Sequence, residues 1–243
     1  MYAALEHFAP HHRELRQRLI RSCAAIVIAS VLAYLQIDRL AAFCMQPLFQ
    51  AHPALQRLVY TKLTEAFITY IKLALLAGVI ISFPYILYQV WMFISPGLLD
   101  NEKRQVRRII LWASLLFAGG ALFAFFFALP RILAFFMSYA GSNLEPMPRL
   151  GSYLTFVARM VLAFGIAFEI PFLMVMTSTT GLVSSDHFKK KRLYFYIVIV
   201  VLAFLLSAGE ITATVLLSLP LFALYEAGIL AIRVFRTNQE SED

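Results

Sequence analysis

The stretch AFITYIKLALLAGVIISFPYILYQVWMFI, residues 66–94, decides the fold class of this chain. It contains a single charged side chain, Lys72, whereas a bilayer crossing needs about 20 predominantly apolar residues. Pro84 inside the stretch predicts a kink, and Tyr88 and Trp91 near its end are typical of the membrane–water interface. The stretch therefore predicts a transmembrane helix.

The composition of the whole chain has the same character. Of the 243 residues, 61% are hydrophobic and 14% are charged, and the mean hydropathy is +0.76. Soluble domains carry about 45–50% apolar and about 25% charged residues. This difference excludes a soluble globular enzyme, a disordered tail and a disulfide scaffold. The only cysteines, Cys23 and Cys44, are expected to be small buried side chains, because no metal-binding spacing is present.

Six apolar segments predict an all-α polytopic membrane protein that forms a single integral membrane domain, residues 1–243. The last two segments share one long apolar run, 193–230, in which the polar sequence Ser207-Ala208-Gly209-Glu210 predicts a turn. Each arm is shorter than a comfortable span, so we expect tilting or a locally thinner bilayer there. The predicted spans are 20–37, 66–94, 109–129, 153–180, 193–206 and 212–230.

The positions of the basic residues predict the orientation of these spans. Fourteen of the 21 Lys and Arg residues lie on the side of the termini, and five lie in the proline-rich loops 38–65 and 131–152 on the opposite side. The positive-inside rule therefore places both termini in the cytoplasm, with six crossings. The net charge of +7 is divided among four short segments, which argues against a nucleic-acid surface.

Sequence motifs for catalysis are absent, and we expect neither a cofactor nor an enzymatic activity. The chain has no H-E-x-x-H, no G-x-S-x-G and no nucleotide-binding loop. His11-His12 lies in a charged amphipathic stretch and is interpreted as two solvated histidines, because a metal site needs more ligands. Any work must therefore draw on binding energy or on an ion gradient.

Glu169 is the most informative single residue, because it lies near the centre of the fourth predicted span. A carboxylate there costs at least about 2.5–3.5 kcal/mol on insertion scales, so it should face protein or a wet cavity, or be protonated. Its role is either functional or a structural hydrogen bond between helices. Pro171 frees a backbone carbonyl nearby and allows a bend, which fits a concave site.

Two further acids, Glu14 and Glu102, lie among basic residues on the predicted cytoplasmic side. Acids in such surroundings are usually solvated partners of neighbouring cations. The alternative is that they accept guanidinium groups from a ligand, since the planar fork of arginine matches a carboxylate. The residue pattern alone leaves both interpretations open.

Four motifs occur in an order that resembles the TatC family, the multispanning subunit of the twin-arginine protein translocase. HHRELRQRL (11–19) is similar to the amino-terminal signature of the family. PYILYQVWMFISPGL (84–98), followed by Glu102-Lys103-Arg104, resembles its second helix and first cytoplasmic loop. AFGIAFEIP (163–171) resembles its fourth helix, and Leu219-Pro220 with the following LYE (224–226) resembles its sixth.

The resemblance implies six helices with both ends inside, in a cupped shape with short helices five and six. It implies a non-enzymatic receptor in the cytoplasmic membrane of a prokaryote. This receptor binds the twin-arginine signal peptides of folded precursors, and the proton-motive force drives their transport. It further implies self-association and single-span TatA and TatB partners that dock near helices five and six. The residues carried over by motif are Glu14 and Glu102 as contacts of the paired arginines, Arg16, Phe93 and Lys103 as residues shaping that patch, and Glu169 as the polar group of the concave face.

One stretch departs from the family pattern. Between helices five and six the family usually has Thr-Pro-Pro-Asp and then a Gln four residues after the Asp. This chain has Ser207-Ala208-Gly209-Glu210 and then Thr214, so both prolines and the amide are missing. We expect a less rigid turn here and keep Glu210 and Thr214 as further site candidates.

Two other functions were weighed against the receptor. A proton-coupled secondary transporter would use Glu169 as its proton carrier, but the spans show no similarity between halves and only one acid lies deep. An intramembrane enzyme would need a nucleophile–base pair or a set of metal ligands, and neither is visible.

Overall fold

The computed structural model shows a chain built from helices. Its backbone is described for residues 2–51, 55, 58–94, 100–138, 147–179, 185–207 and 211–240. Side chains are described for the same residues except 2–12, 94, 100–106, 179, 185–186, 206, 212–213 and 234–240.

The helices follow one another along the described residues with short connections. In chain order they are α1 (Tyr2–Tyr34), α2 (Ile37–Ala51), α3 (Glu65–Ile94), α4 (Asp100–Phe123), a π-helical segment (Ala124–Ala128), α5 (Leu129–Ser138), α6 (Leu150–Thr179), α7 (Ser185–Lys190), α8 (Arg192–Leu206) and α9 (Ile211–Glu240).

The described helices confirm an all-α membrane fold. Five helical stretches are long and apolar enough to cross a bilayer: Arg13–Tyr34, Glu65–Phe93, Arg107–Ser138, Leu150–Ser178 and Thr214–Arg233. A sixth apolar stretch, Arg192–Leu205, is shorter than these. A short fifth helix agrees with the predicted hairpin, while the number and direction of the crossings stay predictions.

One compact unit comprises Met1–Cys44 and Thr61–Leu115, and its main contact is between α1 and α3. The two helices come so close at Gly78 that an added Cβ atom would lie 2.1 Å from Ser30 Oγ. Ser30 Oγ donates to the Ile26 carbonyl at 2.7 Å, and Ser82 Oγ donates to the Gly78 carbonyl at 2.6 Å. Both hydroxyls are therefore satisfied within their own helices, and the approach of the backbones depends on the missing side chain of Gly78.

The second unit comprises Met45–Tyr60 and Leu116–Asp243, in which α6 packs against α9 and against the helix before α5. Glycines again permit the close approach. A Cβ atom on Gly165 would lie 2.7 Å from the Phe117 ring, and one on Gly228 would lie 2.7 Å from Met174 Sδ. The ring of Phe164 and the side chain of Leu217 are completely buried between these helices.

Both segments predicted as proline-interrupted loops contain a helix. Pro47 lies inside α2, and Pro130 is the second residue of α5 rather than the end of the third span. The π-helical segment explains how the chain tolerates Pro130, because Leu129 N–H donates to the Ala124 carbonyl five residues earlier. This longer turn changes the hydrogen-bond pattern just before the residue that lacks a donor.

A short backbone bridge joins these two segments. Val59 N–H donates to the Pro148 carbonyl at 3.2 Å, and Leu150 N–H donates to the Val59 carbonyl at 2.9 Å. The bridge fixes the entry into α6 next to the chain that follows α2.

Candidate functional site

The amino-terminal part of α1 carries a carboxylate that is already bound by a guanidinium. Arg18 Nε donates to Glu14 Oε1 at 3.0 Å, and Arg18 Nη2 donates to the same oxygen. The two residues are four positions apart and therefore lie on one face of the helix. Both bonds use Oε1, and a third of the Glu14 side chain remains exposed. The geometry thus leaves the second carboxylate oxygen available to another donor.

Arg16 and Phe93 belong to the same compact unit as Glu14. Arg16 is exposed, but its position is about 200° around α1 from Glu14, so its side chain starts on a different face. Phe93 is half-buried near the end of α3. Glu14 is about 24 Å along α1 from Ser30, and Phe93 is about 22 Å along α3 from Gly78, the two residues at which these helices meet.

The other predicted members of this patch lie outside the described side chains. Glu102 and Lys103 belong to the first turn of α4, where the backbone is described but the side chains are not. Their distance to Glu14 therefore stays outside the described geometry.

Glu169 lies in the middle of α6 and is 7% exposed. Phe117 from α4 reaches it from the neighbouring helix, with its backbone within hydrogen-bonding reach of the carboxylate. Phe164 and Phe168 form tilted ring contacts with Phe123, at centroid distances of 5.7 and 5.5 Å, and add to an aromatic surrounding. The carboxyl group is thus held between two packed helices rather than on the surface.

One oxygen of this buried carboxyl group, Glu169 Oε1, has no hydrogen-bond partner among the described residues. A buried oxygen without a partner costs about 1–3 kcal/mol, so its persistence needs an explanation. Pro171, two residues later, removes a donor from the same helix and packs with its Cα 3.1 Å from the position of a Cβ on Gly228. This part of α6 therefore combines an unsatisfied acceptor with a proline, next to α9.

The turn between α8 and α9 contains a hydrogen bond that sequence reasoning did not predict. Ser207 Oγ and Thr214 Oγ1 are 2.8 Å apart, and both side chains are buried. Thr214 was a predicted site residue, but its partner Ser207 was considered only as part of the turn. Glu210 lies outside the described residues.

A second polar network, also missed from the sequence, joins the start of α8 to the middle of α9. Tyr196 Oη donates to Glu226 Oε1 at 2.5 Å, and Arg192 Nη2 pairs with Glu226 Oε2 at 3.1 Å. Tyr225 Oη donates to the Phe188 carbonyl at 2.8 Å and so ties α7 to α9. The residues are about 30 positions apart, and only the family-like Leu-Tyr-Glu motif pointed toward this end of α9.

Metal-binding and thiol chemistry find no support in the described part of the chain. No group of three or more His, Cys, Asp or Glu side chains that could hold a metal occurs there. Cys44 in α2 is buried, and this burial raises the pKa of its thiol to about 11. Since the thiolate is the reactive form, Cys44 is an inert structural side chain near neutral pH.

Comparison with known proteins identifies relatives over nearly the whole chain. The family model described as Sec-independent protein translocase protein (TatC) matches residues 10–220. The TatC protein of Desulforapulum autotrophicum is 36% identical over 97% of this chain and 87% of its own length. The TatC protein of Escherichia coli K12 is 32% identical over 93% of this chain and 87% of its own length.

Solved structures show the same similarity at the level of the fold. A crystal structure of a TatC described as a twin arginine translocase receptor superposes with a TM-score of 0.84 at 34% identity. The match covers 92% of this chain and 98% of the solved one. A second crystal structure, of the TatC receptor in the detergent DDM, has a TM-score of 0.82 and 35% identity, covering 90% of this chain and 98% of that one.

Proposed function

Because this chain belongs to the TatC family of Sec-independent protein translocase proteins, we propose that it is the receptor that reads twin-arginine signal peptides. Family membership makes it a multi-pass membrane component of the twin-arginine translocase that acts in protein transport. The proposed step is recognition: the paired arginines of a folded precursor bind carboxylates at the cytoplasmic face. In this proposal both termini lie in the cytoplasm and the membrane is the inner membrane of a prokaryote.

The observation that carries the proposal is the pairing of Glu14 with Arg18. This carboxylate, partly exposed in the amino-terminal part of α1, accepts two hydrogen bonds from a guanidinium on one oxygen. An incoming arginine offers the same chemistry and can either use the second oxygen or replace Arg18. A partly exposed pair four positions apart on one helix contributes only about 0.2–1 kcal/mol, so exchange is energetically easy.

Glu102 is proposed as the acceptor for the second arginine, with Lys103, Arg16 and Phe93 around it. The half-buried ring of Phe93 lies at the end of α3, next in sequence to the start of α4 that carries Glu102. In the proposed patch, the apolar ring of Phe93 favours a peptide with an apolar residue close to its arginines. This arrangement gives selectivity for Arg over Lys, because only Arg donates in a planar fork.

We place single-span TatA- and TatB-type partners along α8 and α9. Most side chains of α8 are apolar and exposed, including Leu193, Ile197 and Leu205, and lipid or another helix must cover them. Self-association of the chain would use the same kind of surface. The energy for export is expected from the proton-motive force, with no nucleotide.

Binding of signal peptides is tested with the carboxylates changed one at a time. Glu14→Gln and Glu102→Gln variants in lipid nanodiscs are titrated with a fluorescent peptide that carries either Arg-Arg or Lys-Lys. We expect each variant to weaken Arg-Arg binding about tenfold or more, because a charge-assisted pair is lost. The matched control is Glu65→Gln, which removes an acid that accepts from Thr61 at the opposite end of α3.

Two results would reject the receptor assignment. One is normal binding by the Glu14→Gln/Glu102→Gln double variant, and the other is equal affinity for the Arg-Arg and Lys-Lys peptides. Copurification from native membranes tests the partners separately, since single-span proteins should be recovered with the wild-type chain. Membership in a protein translocase family argues against the alternative of a proton-coupled solute transporter.

A further inference from the structure

The corner formed by α7 and the start of α8 carries a dense positive charge that the proposed recognition of signal peptides does not use. Lys189, Lys190, Lys191 and Arg192 are consecutive in the sequence, and all four side chains are exposed. Between Gly181 and Arg192 the sequence has one acid, Asp186, whose side chain lies outside the described residues. The corner therefore concentrates a net positive charge within a few residues.

Packing holds this corner in one place against α9. Phe188 is buried, its carbonyl accepts a hydrogen bond from Tyr225 Oη, and its ring lies 5.9 Å from that of Phe195. Phe195 in turn stacks on Tyr225 with a centroid distance of 5.0 Å. The residue directly before the lysines is thus anchored, which directs the lysines away from the packed helices.

Arg192 differs from the three lysines in that it already forms an ion pair within the protein. Arg192 pairs with Glu226, which also accepts from Tyr196. In the part of the chain that the structure describes, Lys189, Lys190 and Lys191 make no ion pair. Three ammonium groups are therefore available to an external anion, next to an arginine that is held by the fold.

The side chains that follow show which kind of anion lies within reach. Leu193 and Tyr194 lie in the first turn of α8, and each side chain is 70% exposed. The helix has 15 residues and is therefore about 22 Å long. A hydrocarbon core is about 30 Å thick, so this end of α8 lies at or below the level of the lipid headgroups. An apolar side chain and a tyrosine directly beside three lysines match the boundary between acyl chains and phosphates.

We propose that the corner Lys189–Arg192 is a binding site for anionic phospholipid headgroups in the leaflet that faces this end of α8. The lysine ammonium groups bind the phosphodiester oxygens, while Leu193 and Tyr194 contact the upper acyl chains. The site would fix the short α8 at a defined depth in the bilayer. The proposal is independent of the recognition of paired arginines, since it uses none of the residues assigned to that function.

The test uses native mass spectrometry of the full chain in mixed micelles of phosphatidylglycerol and phosphatidylcholine. The wild type should retain phosphatidylglycerol in preference to phosphatidylcholine, and the preference should fall as NaCl is raised from low to high concentration. A Lys189→Gln/Lys190→Gln/Lys191→Gln variant should lose the preference by a factor on the order of 100. Each lysine near an anionic surface contributes about fivefold.

Two control variants separate the site from overall charge. Lys189→Arg/Lys190→Arg/Lys191→Arg keeps the charge and should keep phosphatidylglycerol. Arg13→Gln/Arg107→Gln/Arg108→Gln removes three exposed cations from α1 and α4 and should also keep it. An equal loss in this second control would overturn the proposal, because net charge alone would then explain the binding.

Three further results would also overturn it. The first is retention of phosphatidylglycerol by the glutamine variant. The second is displacement of the lipid by glycerol phosphate at equal concentration, which would assign the corner to soluble phosphates. The third is a glutamine variant that keeps the lipid but loses an acidic protein during purification. If the glutamine variant does not fold, the salt dependence of the wild type decides, since a salt-independent preference contradicts binding by lysines.

Discussion

Three acidic side chains differ in their hydrogen-bond and ion-pair partners, and this difference separates structural from functional residues. Glu226 accepts from Tyr196 and pairs with Arg192, which fixes α8 against α9. Glu14 is paired with Arg18 on the same helix, an interaction that packing does not require. Glu169 is buried with one oxygen that has no partner within the described residues. Among the acids whose side chains the structure describes, Glu14 and Glu169 are therefore two that have binding capacity left.

Arg18 is expected to compete with the signal peptide for Glu14. An Arg18→Gln variant frees the carboxylate, and a surface pair of this type contributes about 0.2–1 kcal/mol. We therefore expect binding of an Arg-Arg peptide to tighten by up to about fivefold, measured by fluorescence titration in nanodiscs. The control is Arg13→Gln, which removes the same charge next to Glu14 in sequence. Equal tightening in both variants, or weaker binding in Arg18→Gln, would contradict a competition.

Replacing Glu169 by Ala should reduce export of a folded twin-arginine reporter to less than about half. The change removes the only acid in the middle of α6 and leaves a cavity beside Phe117. Ser82→Ala is the matched control, because Ser82 is a buried polar residue that bonds only within its own helix. Export is measured by the fraction of reporter outside the cytoplasm at equal membrane content of each variant. Unchanged export would leave Glu169 a structural role.

The sequence predicted the burial of Glu169 because position within a span determines the environment of a residue. It could not predict that Ser207 pairs with Thr214 or that Tyr196 pairs with Glu226. These bonds depend on which faces α8 and α9 turn toward each other, and residue spacing alone does not determine this orientation. The unpaired oxygen of Glu169 is likewise a property of the packed helices.

At the scale of helices, hydropathy located apolar helices, and proline misled the prediction between them. The predicted spans 66–94 and 153–180 lie within two residues of the carboxyl ends of α3 and α6. The helices α2 and α5 were missed because Pro47 and Pro130 are helix breakers by local preference. Burial of Leu48 and of Leu133 provides packing that outweighs the missing backbone donor.

The adjacent residues Gly119 and Gly120 provide a test of helix packing between α4 and α6. A Cβ atom on Gly120 would lie 2.4 Å from the Phe164 carbonyl oxygen, whereas one on Gly119 meets no atom within 4 Å. We expect Gly120→Ala to lower the free energy of unfolding by about 1–3 kcal/mol, the usual cost of overpacking. Gly119→Ala should be neutral or stabilise by up to about 1 kcal/mol, because alanine favours a helix.

This comparison is made by thermal unfolding in one detergent, with both variants at the same protein concentration. The two glycines are adjacent in one helix, so differences in insertion or helix propensity cancel. Equal stability of the two variants would show that α4 and α6 do not approach as closely as described.

The hydroxyl pair of Ser207 and Thr214 is expected to make up for the prolines missing from the turn before α9. Interhelical hydrogen bonds in membrane proteins contribute about 0.6 kcal/mol on average. A double-mutant cycle with Ser207→Ala and Thr214→Val should therefore show a coupling energy of about 0.5–1.5 kcal/mol in the free energy of unfolding. Additive effects of the two changes would mean that the turn is held in another way.

At the scale of the whole molecule, the bridge between Val59 and Leu150 supports the predicted topology. The two residues are joined through backbone hydrogen bonds, and in the predicted topology the chain between them leaves one side of the membrane and returns to it. That segment contains α3 and α4, which are both part of apolar stretches long enough to cross. An even number of crossings between the two residues agrees with the six crossings expected from the charges. The bridge does not decide which side they face, and this depends on the bias of Lys and Arg alone.

The predicted orientation is tested by labelling cysteines from each side of the membrane. Cys23 is exposed and is replaced by Ser, whereas Cys44 can stay. Burial raises the pKa of the Cys44 thiol to about 11, so at pH 7 about one thiol in 10,000 is ionised, compared with about 3% for an ordinary cysteine. Leu63→Cys, at a residue that is 96% exposed before α3, and Lys190→Cys, at an exposed residue of α7, are then made singly.

We expect an impermeant maleimide to label Leu63→Cys in intact spheroplasts and Lys190→Cys only after lysis. Labelling of Cys44 should stay low at pH 7 and rise about tenfold per pH unit up to about pH 11, because only the thiolate reacts. The reverse pattern for the two introduced cysteines would place Glu14 and Glu102 outside the cell. Newly made precursors would then never meet these acids, and the proposed recognition of paired arginines would be impossible on topological grounds alone.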